Sequence, residues 1–573
     1  GADMALKTLD HPFNVMRHAR WDTATRMPQV VVPAIATALG GGTIATIAAY
    51  AIYYVGTTAI TSAIMRKLAP DMSGAAMAEA NKGTIINARE AAAPQEYVYG
   101  QVRKGGIVTF METSGDDNKY MHIISAVAGH EVEEIGQVYI NEEVAGIDSN
   151  GNVVDSRWNN KIKVYKHLGN QTSATDNFAN APTNLAATLH AETSATSTFV
   201  GKGIAYMYVR LEFDQDTFAG GIPTFTAVVK GKKVFDPRTS TTDYSNNAAL
   251  CIRDYIVSSY GLDDPAIDET YFAAAANACD ESVATAGGGT QKRYTIDGVI
   301  NASSTTGVAL ADMLDACNGT LFPGGGVYKL KVGVYNTSVK SLTLDDFRSG
   351  ITLPTRLSRR DNFNRVTGKF VYGGVYDEIN NPNAGDWVET DFPAIESATF
   401  LSEDNGIENS MDISLLMVTD SARAQRIAKQ KLYRSREQLT ISAEFGLGAM
   451  GVEVGDTIDL TIDKYGWTNK EFEVATWRMF IADTGGIRVA MTLRETSSAA
   501  FDWNGEETDI ITNNTTLPTY YSTAAISGLA LTATSVVNDD GITIPAIMAT
   551  WNVSNDAFVQ YYEIQYKRLG GEE

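Results

Sequence analysis

The chain has 573 residues, 44% of them hydrophobic and 20% charged, with a formal net charge of −22. That apolar content builds large cores and excludes a wholly disordered chain, and the length allows roughly four domains. The acidic balance argues against broad binding to a phosphate backbone, which needs clustered Lys and Arg.

The charge is unevenly placed. Residues 1–70 carry six Lys or Arg against three Asp, a net of +3, which leaves −25 on the remainder. Residues 1–26 are polar and basic. Residues 27–65 then carry no charge at all. The part from 44 to 65 is long enough to cross a bilayer as a helix. It is rich in Ala, Thr, Gly and Tyr, and such small residues favour close helix packing. Arg17, Arg20 and Arg26 lie on one side and Arg66 and Lys67 on the other, so the flanking charges set no orientation. The run is too long for a signal-peptide core and lacks a small-residue cleavage site. Residues 68–83 read as a linker.

From Tyr97 the pattern becomes β. "YVYGQVRKGGIVTF" places a Gly-Gly turn between two strand-like pieces. Asn150-Gly151 is the strongest short hairpin signal. Residues 174–199 read as a loop with a short helix, part of an inserted excursion. Residues 203–214 return as a strand. Three helices follow from apolar spacing. The first puts Ala249, Ile252, Ile256, Val257 and Tyr260 on one face, with Gly261 as its stop. The second puts Leu310, Met313, Leu314 and Cys317 on one face. The third, 420–437, turns Ala424, Ile427, Ala428 and Leu432 inward and a basic face outward. Strands are expected at 327–335, where Tyr328, Leu330, Val332 and Val334 alternate with Lys329 and Lys331, and in "RVTGKFVY", "GDTIDLTI" and "GIRVAMTLRE". The last ~50 residues show short alternating strands with Trp551, and resemble the first three strands of a fibronectin type III sandwich, a fold of about 100 residues.

The search for chemistry returns no constellation. Neither a G-x-S-x-G elbow nor an H-E-x-x-H pair is present. Cys251, Cys279 and Cys317 form no CxxC pair and read as small buried side chains of a protein made in a reducing compartment. His122 and His130 would need a hairpin and a third ligand to share a metal. Asp148, Asn150, Asn152 and Asp155 have a faint calcium-loop look, but Gly151 sits at the wrong position and a hairpin is the better reading. "LSRRDNFNR", 357–365, is the densest basic cluster, either a solvated loop or a contact for an acidic neighbour. No catalytic, cofactor-binding or metal residue is assigned and no cofactor is expected. A long chain without such a site points to a structural or interaction protein, not an enzyme.

Six pieces in fixed order carry a resemblance: "EYVYGQVRKGGIVTF" with "AGHEVEEIGQVYINEE", "GIPTFTAVVKGKKVFDPRT" with "NNAALCIRDYIVSSYGL", "RRDNFNRVTGKF", "WVETDFPAIE", "VEVGDTIDL" and "MTLRETSSAAFDW". Over residues 90–505 the chain resembles the tail-tip hub proteins of long-tailed bacteriophages, the tip attachment protein J family. The resemblance implies a mainly β, multidomain fold with some α: tail-hub β-barrel domains with helical additions, an apolar N-terminal helical segment, and the start of a fibronectin sandwich. It implies a division into 1–90, an N-terminal segment and linker; 91–240, a first hub region with an insertion near 140–200; 241–325, a mixed helical region; 326–505, a second hub region including helix 420–437; and 520–573, a partial fibronectin domain. Segments 203–240 and 327–400 are candidates for the barrels. It also implies a homotrimer that closes the tail tube and gates DNA ejection. Its partners would be the distal tail protein and other tail-tip proteins, the tape-measure protein, tail fibres, the host envelope through residues 27–65, and genomic DNA sliding through the lumen. The alternative is a membrane-anchored surface or secretion protein that uses 44–65 as its span.

Overall fold

A computed structural model describes residues 93–171, 189, 192–194, 200–258, 266–354, 362–374, 385–483, 485–510, 526–554, 559 and 561–564. The expected N-terminal helical segment lies outside these residues. Within them the fold is mainly β with a few helices, and its apolar side chains gather into separate cores.

The first body holds strands β1 (Glu96–Tyr99), β2 (Gln101–Gly105), β3 (Ile107–Ser114), β4 (Tyr120–Ala128), β5 (Glu134–Ile140), β6 (Glu143–Val144), β7 (Ile162–His167), β8 (Ala205–Glu212) and β9 (Phe225–Lys230). Two four-stranded sheets form, in the orders β2-β9-β5-β6 and β3-β4-β8-β7. They enclose one core, with Val102, Val138 and Val229 from the first sheet and Ile123, Val164 and Val209 from the second. Alternation along β8 shows why the second sheet is buried on both faces. Ala205, Met207, Val209 and Leu211 enter that core, while Tyr206 and Tyr208 line a smaller cluster with Leu189.

Gly105-Gly106 stands between two strands, as read from the sequence, but does not pair them as a hairpin. β2 pairs with β9 and β3 pairs with β4, so the two glycines carry the chain from one sheet to the other. A Cβ on Gly106 would strike the Ser125 side chain and the Ala126 carbonyl. The residue is glycine because of this close approach. The real break in that stretch is Gly100, at φ 65°, pressed on the Ile296 carbonyl.

β1 does not join either sheet. It pairs antiparallel with β14 (Gly298–Asn301) of a central body. Its side chains divide by parity: Tyr97 and Tyr99 enter the central core and Val98 enters the first. The rest of the central body comprises hairpin β10–β11 (Lys233–Asp236, Thr241–Tyr244), helix α1 (Ala248–Val257), helix α2 (Glu269–Asp280), hairpin β12–β13 (Ser282–Ala284, Thr290–Lys292), helix α3 (Thr306–Asp315) and hairpin β15–β16 (Thr320–Gly324, Val327–Lys331). Further along come β18 (Arg365–Tyr372), β19 (Val388–Asp391), β20 (Ile395–Glu396), helix α4 (Ala398–Glu403), β21 (Ser410–Leu415) and helix α5 (Ser421–Arg436). β18 is the hub of its sheet: β19 and β20 pair with it antiparallel and β21 parallel.

The helices start where side chains satisfy free backbone donors. Asn247 accepts from Ala249 and Leu250, Asp268 from Thr270 and Tyr271, and Asp420 from Arg423. The α1 face Ala249, Ile252 and Ile256 is buried, but Val257 is 43% exposed. The helix ends at Val257 and Ser258 turns extended, so the last residue leaves the core. Tyr260 and Gly261 lie outside the described residues. On α3, Met313 is buried and Cys317 follows it inward, while Leu310 and Leu314 are half-buried. The inward face of α5 is fully buried, as read from spacing. Its basic side is not all solvated, because Arg423 and Arg426 are buried too. The reason is a return of the chain: Gln425 exchanges two 2.9 Å hydrogen bonds with the Thr508 backbone, and Lys429 donates to the Asp502 carbonyl. Residues 502–508 therefore lie over that side of α5.

The third body is a five-stranded sheet in the order β17-β23-β24-β25-β22: β17 (Lys340–Thr343), β22 (Thr440–Phe445), β23 (Thr457–Ile462), β24 (Trp467–Ile481) and β25 (Ile487–Glu495). Its own core holds Leu342, Phe445, Ile458, Phe472 and Leu493. Last comes an exposed hairpin, β26 (Ala530–Val537) and β27 (Thr543–Thr550), with Trp551 against Tyr562 at 5.4 Å. This antiparallel pair is the described part of the fibronectin-like stretch.

Candidate functional site

The two histidines singled out by spacing sit apart in role. His122 lies on β4, fully buried, with Nε2 2.7 Å from Ser114 Oγ and Nδ1 2.7 Å from Tyr208 Oη. Burial holds its imidazole below the ordinary pKa. Nδ1 faces a phenol, and the Glu192 carboxylate lies 3.5 Å from Nε2, the nitrogen that also faces Ser114, so the order of groups in a nucleophilic triad is not reproduced. Its neighbours assign it another role. Arg210 grips Glu192 through two 3.0 Å bonds, Glu112 accepts the Ser194 N–H at 2.8 Å, and Leu189 fills the aromatic cluster of Tyr165, Tyr206 and Tyr208. These contacts fasten the described end of the 174–199 excursion to the β4–β8 face. His130 instead stacks on Tyr97 at 5.7 Å, and its Nε2 accepts the Val98 N–H.

Asp148 is consumed by its own turn. Its carboxylate accepts the N–H groups of Asn150 and Asn152 and the Asn152 side chain, each at 2.8 Å. Asp155 accepts from the Gly146 N–H at 2.9 Å. The turn is closed by a bridge between Ile147 and Val153, with Gly151 at φ 80°. Among the described residues no group of three or more His, Cys, Asp or Glu is placed to hold a metal. Most of the 357–365 cluster lies outside the described residues; Arg365 at its end pairs with Glu408 at 2.8 Å. The uncharged run 27–65 also lies outside them. Among the described residues, no helix is long and apolar enough to cross a membrane.

What the surface offers is sheet edges. β7 is covered by the 147–153 turn, and β22 by residues 347–352, through isolated bridges. β3 pairs only with β4 among the described strands. This eight-residue edge carries Ile107, Val108, Phe110 and Met111, all half-buried, and a bulge between Val108 and Phe110. An open cleft of about 610 Å³ runs beside it, lined by Pro94, Ile107, Val108, Ala126, Val127 and Ile204. Such an edge is a template for another strand unless something covers it. Sequence reasoning missed it because sheet order, not local pattern, decides which strand ends at an edge.

No family model matches the chain. Over 346 residues it is 23% identical to the baseplate hub protein pb3 of Escherichia phage T5, an alignment covering 55% of this chain and 34% of that protein. The chain is a relative of a phage baseplate hub protein. The tail-hub resemblance read from the sequence is borne out by this relative, as is the mainly β, multidomain fold by the structure. The chain spans about a third of the length of the hub protein it matches. Solved structures similar to it include one from the virion of a gene transfer agent particle, at TM-score 0.47 and 14% identity over 74% of this chain and 89% of that one. A tail protein of Neisseria meningitidis MC58 gives TM-score 0.28 and 10% identity over 72% and 99% of the two chains. The 43 kDa tail protein of prophage MuSo2 from Shewanella oneidensis gives 0.27 and 12% over 72% and 99%.

Proposed function

We propose that this chain is a structural hub protein of a phage tail, three copies of which close the distal end of the tail tube. The observation that carries the reading is the 346-residue similarity to a baseplate hub protein. The β3 edge, unpaired on one side among the described strands, supports it, since a cyclic homomer needs one interface repeated around an axis and hides strand edges inside it. In this reading the chain is a virion component and not an enzyme. The division into hub regions 91–240 and 326–505, with the segment between them as a mixed helical region, belongs to the same proposal. So does the placing of the barrels within 203–240 and 327–400.

The finer parts of the reading follow from that position. The hub would meet the distal tail protein above, the tape-measure protein within and tail fibres outside. The net charge of −22 suits a conduit whose wall repels phosphates, so that DNA slides without sequence-specific binding. Residues 27–65 would stay inside the closed tip and reach the host envelope only at ejection. The test is a reconstruction of particles that carry this protein, paired with light scattering of the purified chain. A threefold density at the tail tip and a trimer mass are expected. A monomer that stays with membranes and never enters particles would sink the hub reading and favour the membrane-anchored alternative through 44–65.

A further inference from the structure

The central body meets its two neighbours in different ways. Toward the first body the join is apolar and continuous, because β1 sends alternate side chains into both cores. Toward the five-stranded sheet no strand among the described residues divides its side chains between the two cores in this way. Ion pairs and polar contacts cross that second join.

They form a strip. On the central side, Lys329 and Lys331 are two apart on β16 and so share a face, and Tyr335 follows four residues later. Lys329 Nζ reaches Glu453 at 2.5 Å and Lys331 Nζ reaches Asp456 at 2.9 Å. Tyr271 on α2 donates to the same Glu453 at 2.5 Å, and Tyr335 donates to Glu471. Arg434 on α5 pairs with Glu473. Four carboxylates of the sheet body, 453, 456, 471 and 473, thus face three cations and two phenols of the central body.

The backbone crossings gather at one end of this strip. Ser497 donates to Glu437 at 2.9 Å, Leu439 and Glu495 are joined by backbone and side-chain bonds at 2.9 and 3.1 Å, and the rings of Tyr335 and Phe501 stand 6.4 Å apart. Three crossings, 332–339, 437–439 and 495–501, therefore meet together. The fourth passes through 355–361, outside the described residues. Lys329 lies in the middle of β16, six residues before Tyr335, and its contact with Glu453 and Tyr271 stands outside that meeting point.

We infer that the five-stranded body is a lobe that opens from the central body about the 437/497 crossing, with Lys329, Lys331 and Tyr271 as its latch. The physical ground is the kind of contact. An apolar join gains with the area it hides, whereas exposed ion pairs contribute little each and weaken as salt screens them. Solvent and ions reach the latch through Glu453, whose side chain is 48% exposed against 10% for Lys329, 20% for Lys331 and 19% for Asp456. The inference stands on these contacts alone and does not depend on the tail reading.

Hydrogen exchange of the whole chain, read by mass spectrometry, tests it. The double variant Lys329→Met, Lys331→Met keeps the stems and removes the charges. Exchange in residues 447–456 and 327–331 is expected to rise about tenfold, while β25 and α5 keep their protection. Wild type in about 1 M sodium chloride is expected to move the same way. The variant Glu453→Gln, Asp456→Asn should reproduce the effect from the opposite side. Unchanged exchange at 447–456 in both variants would overturn the latch. A matching loss of protection in β25 would also overturn it, since the sheet would then be unfolding and not swinging.

Discussion

His130 Nε2 accepts the Val98 N–H at 2.9 Å, while its Nδ1 lies 2.7 Å from the Glu131 carbonyl. The first contact requires an unprotonated Nε2, so the ring works here as a neutral acceptor for the strand that two cores share. Burial holds its pKa down to about 4 from the usual 6.5. A depressed pKa gives stability that is present above pH 6.5 and is lost as the pH falls through about 4. His130→Ala should cost about 1–2 kcal/mol at pH 7, because a backbone donor loses its acceptor. The gap between variant and wild type should close as denaturation is repeated toward pH 4.

Asp312 on α3 has the opposite sign. Burial first, and the nearby Asp315 second, push its carboxyl up to about 7 from 3.8. A raised carboxyl gives stability that is full below pH 3.8 and lost as the pH rises through about 7. Asp312→Asn should therefore match wild type at low pH and exceed it by about 1–2 kcal/mol at pH 8, a figure reduced because the residue is only half-buried. Denaturant titration at the two pH values measures it.

Arg426 is 1% exposed, and its Nε and Nη1 have no hydrogen-bond partner among the described residues. The guanidinium donates to the Arg293 carbonyl, and burial lowers its pKa to about 10. A buried charge that touches no carboxylate costs more than it returns, and replacement by an apolar side chain of similar length relieves that cost. Arg426→Met should be neutral or stabilising, by about 1–3 kcal/mol, in thermal melts. A clear loss of stability would show that the charge is compensated.

Neighbouring positions on α1 should separate sharply. Ile256 is 1% exposed and Val257 43%. Ile256→Ala should cost about 2–4 kcal/mol through a cavity in the central core. Val257→Ala should stay within about 0.5 kcal/mol. Paired denaturation curves decide it.

Local pattern made much of this fold legible. Alternation in 365–372, 457–462 and 487–495 and the inward face of 420–437 are strands and a helix as read. Helix α2 escaped although Phe272, Ala275, Ala276 and Cys279 have helical spacing and are all buried. Five of the twelve residues of this helix are alanine, and alanine marks a core face only weakly. Buried Arg423 and Arg426 escaped for a different reason. Periodicity assigns cations to the outer face and cannot see that residues 502–508 come back to cover them. The Lys329–Glu453 contact joins residues 124 apart, and the open β3 edge depends on which strand lies next to which. Both are properties of the assembled chain.

Cys251 on α1, Cys279 on α2 and Cys317 beyond α3 are all buried in the central core, which holds every thiol of the chain. Burial raises all three pKa values, that of Cys279 to about 12, so little thiolate exists at neutral pH. Alkylating reagents attack the thiolate. An alkylation time course on the unmodified protein consequently reports the opening of one body alone: labelling stays silent while the other sheets loosen or detach, and begins only when the centre itself comes apart.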